Sequence, residues 1–197
     1  MTCYVLGDCL PMKHDVELPI RGRLSDGREL WINPLNRDNR AHLSAVNDML
    51  NEEVISGTYP QDSPMDFDQF MAYYCSHHVF TALLADEVIG AFYIKPNYPG
   101  RCAHICNGGF LVDKRFRRQG VGNLMADAFE VLAPACGYDA AFFNLVFEDN
   151  PGSIALWEMK DYKRMGVVPD AKRCLDGTSV NAIMFYKRFN QASEKPH

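Results

Sequence analysis

The 197-residue sequence has no long hydrophobic run. Nothing in it approaches the roughly 18–20 consecutive apolar positions of a bilayer-crossing helix, so no membrane partner is expected. Met1 to Leu10 lacks the basic-then-apolar layout of a secretory signal. Positive charge is also scarce: 20 Lys and Arg face 25 Asp and Glu, a net charge of −5. A nucleic-acid binder is more often basic, so no nucleic-acid partner is expected, though a local basic patch can still hold an anion. Internal repeats and low-complexity segments are missing. So is any paired cysteine spacing: the seven cysteines are scattered and odd in number. Without a signal layout, that pattern predicts free thiols in a reducing compartment. Cytoplasm is the default reading, with nucleus and mitochondrion left open.

What is present is an ordinary globular balance. Apolar residues make up 47%, enough for one large domain, or one domain with appendages, to bury a substantial core. Residues 1–28 carry no period and are punctuated by Pro11, Pro19 and Gly22, so an irregular arm is expected. Leu30-Trp31-Ile32 reads as a strand closed by Asn33-Pro34. A helix is predicted from near Asp38 to Gly57, with Leu43, Val46, Leu50 and Val54 on one face. A second is predicted after Ser63 as cap, with Pro64 in its first turn and Phe67, Phe70, Met71 and Tyr74 on one face. Val79–Leu84 and Val88–Ile94 read as an antiparallel hairpin, and Phe110–Val112 as part of the next strand.

Val121, Leu124, Met125, Ala128 and Leu132 form the apolar stripe of a helix ended by Pro134 and Gly137. Ala140–Phe147 is nearly continuous and bulky, as in a strand buried on both faces. A helix follows Asn150-Pro151, with Ile154, Leu156, Trp157 and Met159 as packing residues. Lys163–Val168 and Val180–Tyr186 read as the last strands, and the polar tail from Asn190 as flexible.

One stretch stands apart. Between the strand before Arg117 and the strand after Gly137 lies a single helix, a crossover that makes the two strands parallel. Its entry is Arg117-Arg118-Gln119-Gly120-Val121-Gly122. Glycines there let backbone approach a ligand, and the first helical amides are unpaired and partly positive, suited to phosphate. Lys114, Arg115, Arg117 and Arg118 add formal charge. The turn is no Walker A loop, because no Gly-Lys-Ser/Thr follows, and no GxGxxG, because residue 125 is Met. By itself it is also compatible with a plain turn carrying a solvated basic face.

Arg117-x-x-Gly120-x-Gly122, after Phe110-Leu111-Val112 and before Leu124, resembles the acyl-CoA signature of the GCN5-related N-acetyltransferase (GNAT) superfamily. Asn150, Ala155 and Leu156 resemble the asparagine-led helix of such folds. More specifically, Gly90–Tyr98, Arg101-Cys102, His104, Cys106-Asn107, Gly109–Val112, Phe143–Phe147 and Gly166–Pro169 are similar to the fungal L-azetidine-2-carboxylate N-acetyltransferases. That resemblance covers roughly residues 50–170 and fades in the first forty residues and the tail. It implies a mixed α/β (α+β) GNAT fold: a central, mostly antiparallel sheet flanked by helices, with one parallel pair, the family's fourth and fifth strands. The expected organisation is an arm at 1–28, a single acetyltransferase domain at 29–189 and a tail at 190–197.

The resemblance also implies chemistry. Acetyl-CoA is the co-substrate, and the acceptor is the ring nitrogen of a small proline-like imino acid, with no metal. Asn144 and Asn150 are implied in catalysis, and Asn107, Asn144 and Leu145 in acceptor binding. Leu111, Val112, Arg117, Arg118, Gln119, Gly120, Val121, Gly122 and Asn150 are implied in cofactor binding. The resemblance is also compatible with a homodimer. Many place a tyrosine acid in the helix after the asparagine. Trp157 stands there instead, leaving Tyr162 as a substitute only if it points into the cleft. Asn150 also reads as a helix cap before Pro151, and the two roles coexist. Cys102, His104 and Cys106 alternate as if on one strand face, but CxHxC is no usual zinc spacing.

Overall fold

The computed structural model of the chain describes residues 6–189. Eight strands form one sheet: β1 (Ile20–Arg23), β2 (Glu29–Pro34), β3 (His78–Leu84), β4 (Glu87–Pro96), β5 (Ile105–Val112), β6 (Ala140–Phe147), β7 (Lys163–Arg173) and β8 (Ser179–Arg188). Their order is β1-β2-β3-β4-β5-β6-β8-β7. Every neighbouring pair is antiparallel except β5 and β6. Four helices flank it: α1 (Arg40–Ile55), α2 (Phe67–Tyr73), α3 (Val121–Ala135) and α4 (Pro151–Met159). The fold is the mixed α/β one that the resemblance implies, with the parallel pair that the crossover predicts. The parallel pair is fifth and sixth because a short strand precedes the expected first one.

Alternation along β4 explains the two cores. Phe92 and Ile94 point to the α3 side, where Phe129, Phe143 and Trp157 gather. Ala91 and Tyr93 point the other way, to Val46, Leu50, Phe70 and Tyr74 beneath α1 and α2. Both faces of β4 are thus covered. Phe129, absent from the stripe read in the sequence, is the hub of the first core and packs edge-on or tilted against Phe92, Phe110, Phe143 and Phe189. Complete burial of such a ring is worth roughly 1.5–3 kcal/mol.

Several local expectations are corrected. Residues 20–23 of the arm form β1, because Ile20–Arg23 find a partner in Glu29–Ile32 of β2. Helix α2 is capped by Asp66, not Ser63. Asp66 accepts from the Gln69 amide while the Gln69 side chain accepts from the Asp66 amide, a reciprocal box that Ser63 cannot make. Pro134 lies inside the last turn of α3, and Gly137, at φ +91°, provides the left-handed stop. Met159 is 61% exposed rather than packed, and Leu145, in the strand read as buried on both faces, is 42% exposed. Cys102 lies in a 3-10 turn and His104 in the loop after it, so neither shares a strand face with Cys106. The expected tail, 190–197, lies outside the described residues.

The arm is tied down without regular structure over 6–19. His77 Nε2 hydrogen-bonds the Gly7 carbonyl at 3.0 Å and His78 Nε2 the Leu10 carbonyl at 2.8 Å. The Lys13 and His14 amides then donate to the Ala135 carbonyl at the end of α3.

Candidate active site

Strand β5 delivers the chain to the glycine turn. Asp113 accepts from the Arg115 amide and starts a single 3-10 turn, Lys114–Phe116. Arg118 (φ +61°) and Gly120 (φ +95°) then reverse the backbone into α3. Gly120 is the N-cap, and no side chain caps the helix. The amides of Val121, Gly122 and Asn123 are therefore left without intrahelical partners. Gln119 is held from three sides: Arg28 and the Arg115 carbonyl bind its side chain, and the Ser25 amide its carbonyl.

The basic run is less free than its sequence implies. Lys114 pairs with Glu52, Arg115 with Glu87 and Asp113, and Arg117 with Glu53. Arg117 also donates to the Val112 carbonyl. Of the four cations, Arg118 alone has no ion pair among the described residues. Backbone amides and the α3 dipole add positive potential at the turn.

Strands β5 and β6 pair only at Ile105↔Ala140 and Cys106↔Ala141. Beyond that they separate. β6 continues against β8, with a bulge between Phe143 and Val146 that turns Leu145 outward. The rest of β5, including Leu111 and Val112, has no strand on this side among the described residues. Its free backbone edge can pair with an extended amide-bearing ligand. At the point of separation sit three amides. Asn107 Nδ2 donates to Asn144 Oδ1 at 3.1 Å and to Asn97 Oδ1 at 3.4 Å, and Asn97 Nδ2 donates to the Phe142 carbonyl at 3.3 Å. Asn107 Oδ1 accepts from the Gly108 amide at 2.8 Å.

Asn150 caps α4, its Oδ1 accepting from the Ser153 amide at 3.1 Å. Trp157 is buried and donates to Ser153 Oγ. Tyr162 does not supply the missing acid group. Its ring packs on Phe143 and Trp157, and its buried hydroxyl has no hydrogen-bond partner among the described residues. Burial pushes that hydroxyl far above the usual phenol range.

On the α1/α2 face, a group of residues packs behind β5; among them sequence reasoning passed over Tyr59, Lys95 and Lys172 as site residues. Tyr59, Tyr74 and Tyr93 have hydroxyls held far above their ordinary pKa by burial, so they stay neutral. Tyr59 Oη and Tyr93 press so closely on Gly109 that a Cβ there would collide with both. Tyr74 Oη donates to the Gly109 carbonyl at 3.0 Å. Lys95 lies opposite Asn107 across β4 and β5. Lys172 bridges the two walls, donating to the Gly57 carbonyl at 2.7 Å and to Asp149 at 2.5 Å. Lys95, a charge at the end of the otherwise apolar run Val88–Ile94, was a legible signal. The others depend on pairings distant in sequence.

A splayed parallel pair, a glycine-led helix start and an uncapped α3 form an arrangement with a family match. The model of the acetyltransferase (GNAT) family matches residues 44–162. The chain belongs to the GNAT family. Among curated relatives, N-acetyltransferase aca1 of Schizosaccharomyces pombe is 53% identical over 87 residues, 44% of this chain and 42% of that protein. The match thus spans under half of that relative's length. Among solved structures, a GCN5-related N-acetyltransferase from Kribbella flavida is 25% identical, with TM-score 0.74, covering 81% of this chain and 97% of that one. yncA, a putative acetyltransferase from Salmonella typhimurium solved with acetyl-CoA, shares the fold at 14% identity and TM-score 0.74, covering 85% and 98%.

The GNAT co-substrate fits the residues present. Its pyrophosphate needs several convergent amides and no intruding side chain. The start of α3 supplies unpaired amides, and a Cβ at Gly122 would come no nearer than 3.9 Å to Leu156.

Proposed function

We propose that this chain transfers acetyl from acetyl-CoA to the ring nitrogen of a small proline-like imino acid. L-azetidine-2-carboxylate, cis-4-hydroxy-L-proline and the glutamate-semialdehyde/pyrroline-carboxylate intermediate fit the class. The role is detoxification of proline analogues and oxidative-stress tolerance, in the cytoplasm, with a homodimer as the working assembly. The reading is carried by the Asn107–Asn144 hydrogen bond where β5 and β6 part, on the runs that resemble the fungal imino-acid acetyltransferases.

In this reading the amides of Gln119 to Gly122, with Arg117 and Arg118 beside them, hold the pyrophosphate. Leu111 and Val112 on the free edge of β5 align the pantetheine, and Asn150 closes the site. When bound, acetyl-CoA supplies a thioester carbonyl open to attack. Asn107 orients Asn144, and Asn144 and Leu145 line the acceptor side. A coenzyme thiol has a pKa near ~8.5, so its thiolate leaves without a dedicated acid, consistent with Trp157 in place of a tyrosine. The acceptor is harder. A secondary amine of pKa roughly 10–11 must lose a proton, which costs about 4–5 kcal/mol at neutral pH. Amide side chains cannot take that proton, so catalysis rests on positioning and on backbone N–H donors to the developing oxyanion.

The test is thiol release from acetyl-CoA by the purified protein, offered L-azetidine-2-carboxylate, cis-4-hydroxy-L-proline, spermidine and a lysine peptide. Turnover with the first two is expected. Turnover with only the last two would move the acceptor to another amine. Tight acetyl-CoA binding with no turnover on any of them would reduce the chain to a binding module.

A further inference from the structure

A polar row crosses the sheet face that packs against α1 and α2. Lys95 on β4 stands opposite Asn107 on β5, and Asn107 bonds Asn144 on β6. The Asn107 amide is already committed: its Nδ2 serves Asn144 and Asn97, and its Oδ1 accepts from Gly108.

Lys95 is differently placed. Its ammonium lies 4.0 Å from the Tyr73 ring centroid and 4.2 Å from that of Tyr93. It donates one hydrogen bond, 3.3 Å to the Tyr73 carbonyl. An ammonium has three protons to give, so two remain. None of the ion pairs among the described residues includes it. It also lines a cavity of about 390 Å³ with Gly7, Asp8, Tyr73, Ser76 and His77, and Asp8 does not pair with it. A desolvated cation without a counter-anion is costly, and a carboxylate arriving beside it recovers that cost. Consistent with this, burial brings the Lys95 pKa down to about 8.

We propose that Lys95 is the carboxylate anchor of the acceptor site, a specificity-determining residue that selects amines bearing a carboxylate beside the reacting nitrogen. This rests on the acetyl-transfer reading above. The two aromatic faces hold the ammonium in place, and the remaining donors meet the carboxylate while Asn144 faces the ring. A purely structural lysine would make no distinction between acceptors with and without a carboxylate.

The experiment uses matched acceptors, L-azetidine-2-carboxylate against azetidine and L-proline against L-prolinamide, with the full chain, Lys95→Met and Lys95→Arg. The wild type should favour the acids. Lys95→Met should raise KM for the acids by about tenfold or more, as loss of a charge-assisted hydrogen bond implies. It should leave kcat, the carboxylate-free acceptors and the KM for acetyl-CoA nearly unchanged, and Lys95→Arg should keep most of the preference. Equal losses on acids and carboxylate-free partners, or no loss on the acids, would overturn the anchor. Should Lys95→Met fail to fold, the wild type decides: equal turnover of an acid and its carboxylate-free partner overturns the proposal. Should no imino acid react, the same comparison is made with an amino acid and its amide. A Lys95-dependent preference for the acid there keeps the anchor while the proline-like acceptor falls.

Discussion

Single residues carry most of the chemical argument, and several changed meaning once their neighbours were known. Arg117, read as charge for a phosphate, is largely spent on Glu53. Asn107, read as an acceptor-binding residue, also bonds two other amides, Asn97 and Asn144. Tyr162, the substitute acid, is part of the core. The last is open to a direct check. Tyr162→Phe removes a buried hydroxyl that has no partner, a group whose desolvation costs about 1–3 kcal/mol. The variant should keep kcat and melt at the same temperature or higher. A tenfold or greater fall in kcat, by the transition-state relation a loss of about 1.4 kcal/mol, would restore Tyr162 as an acid.

At the scale of elements, the join between β5 and α3 matters most. Gly120 adopts φ +95° as the cap of α3. An alanine there pays roughly 1–2 kcal/mol for left-handed backbone or shifts the turn. Gly120→Ala should therefore lower Tm by about 2–8 °C. It should also raise KM for acetyl-CoA about tenfold, with a smaller effect on KM for the acceptor. An unchanged acetyl-CoA KM would mean that these amides do not hold the co-substrate. Helix and strand spans were readable to within a few residues because periodicity, Pro and Gly are local signals. The place of the bulge was not, since it is set by the register of β6 against β8, which slips between Phe143 and Val146.

For the whole molecule, the arm gives stability a pH dependence. Burial is the main cause that pulls His77 and His78 below their ordinary pKa, outweighing their bonds to the arm's carbonyls. A histidine whose folded pKa is depressed binds fewer protons folded than unfolded. Its stabilisation is complete above the unfolded value of about 6.5 and is lost as pH falls through the lower folded value. The urea midpoint should drop between about pH 7 and pH 5, above the range where the depressed Asp26, Asp113 and Asp176 titrate. His77→Gln with His78→Gln should flatten that drop, and a midpoint that rises on acidification would contradict the account.

The sequence by itself determined the order of elements from β2 onward, the parallel crossover and the glycine turn. Each is written in residues adjacent along the chain, where hydrophobic period and backbone freedom act over a few positions. The resemblance on long runs such as Phe92–Tyr98 and Phe143–Phe147 pointed to the family. Only the tertiary structure decided which charges are free. Lys114, Arg115 and Arg117 look alike in sequence to Lys95, yet acidic residues on α1, β4 and the turn itself neutralise the first three. Among the described residues Lys95 has no ion pair, because those that meet it, Tyr73 and Tyr93, bring aromatic faces and no carboxylate. Electrostatic partnership depends on distances of a few ångströms between residues far apart in the chain, and no local pattern encodes them.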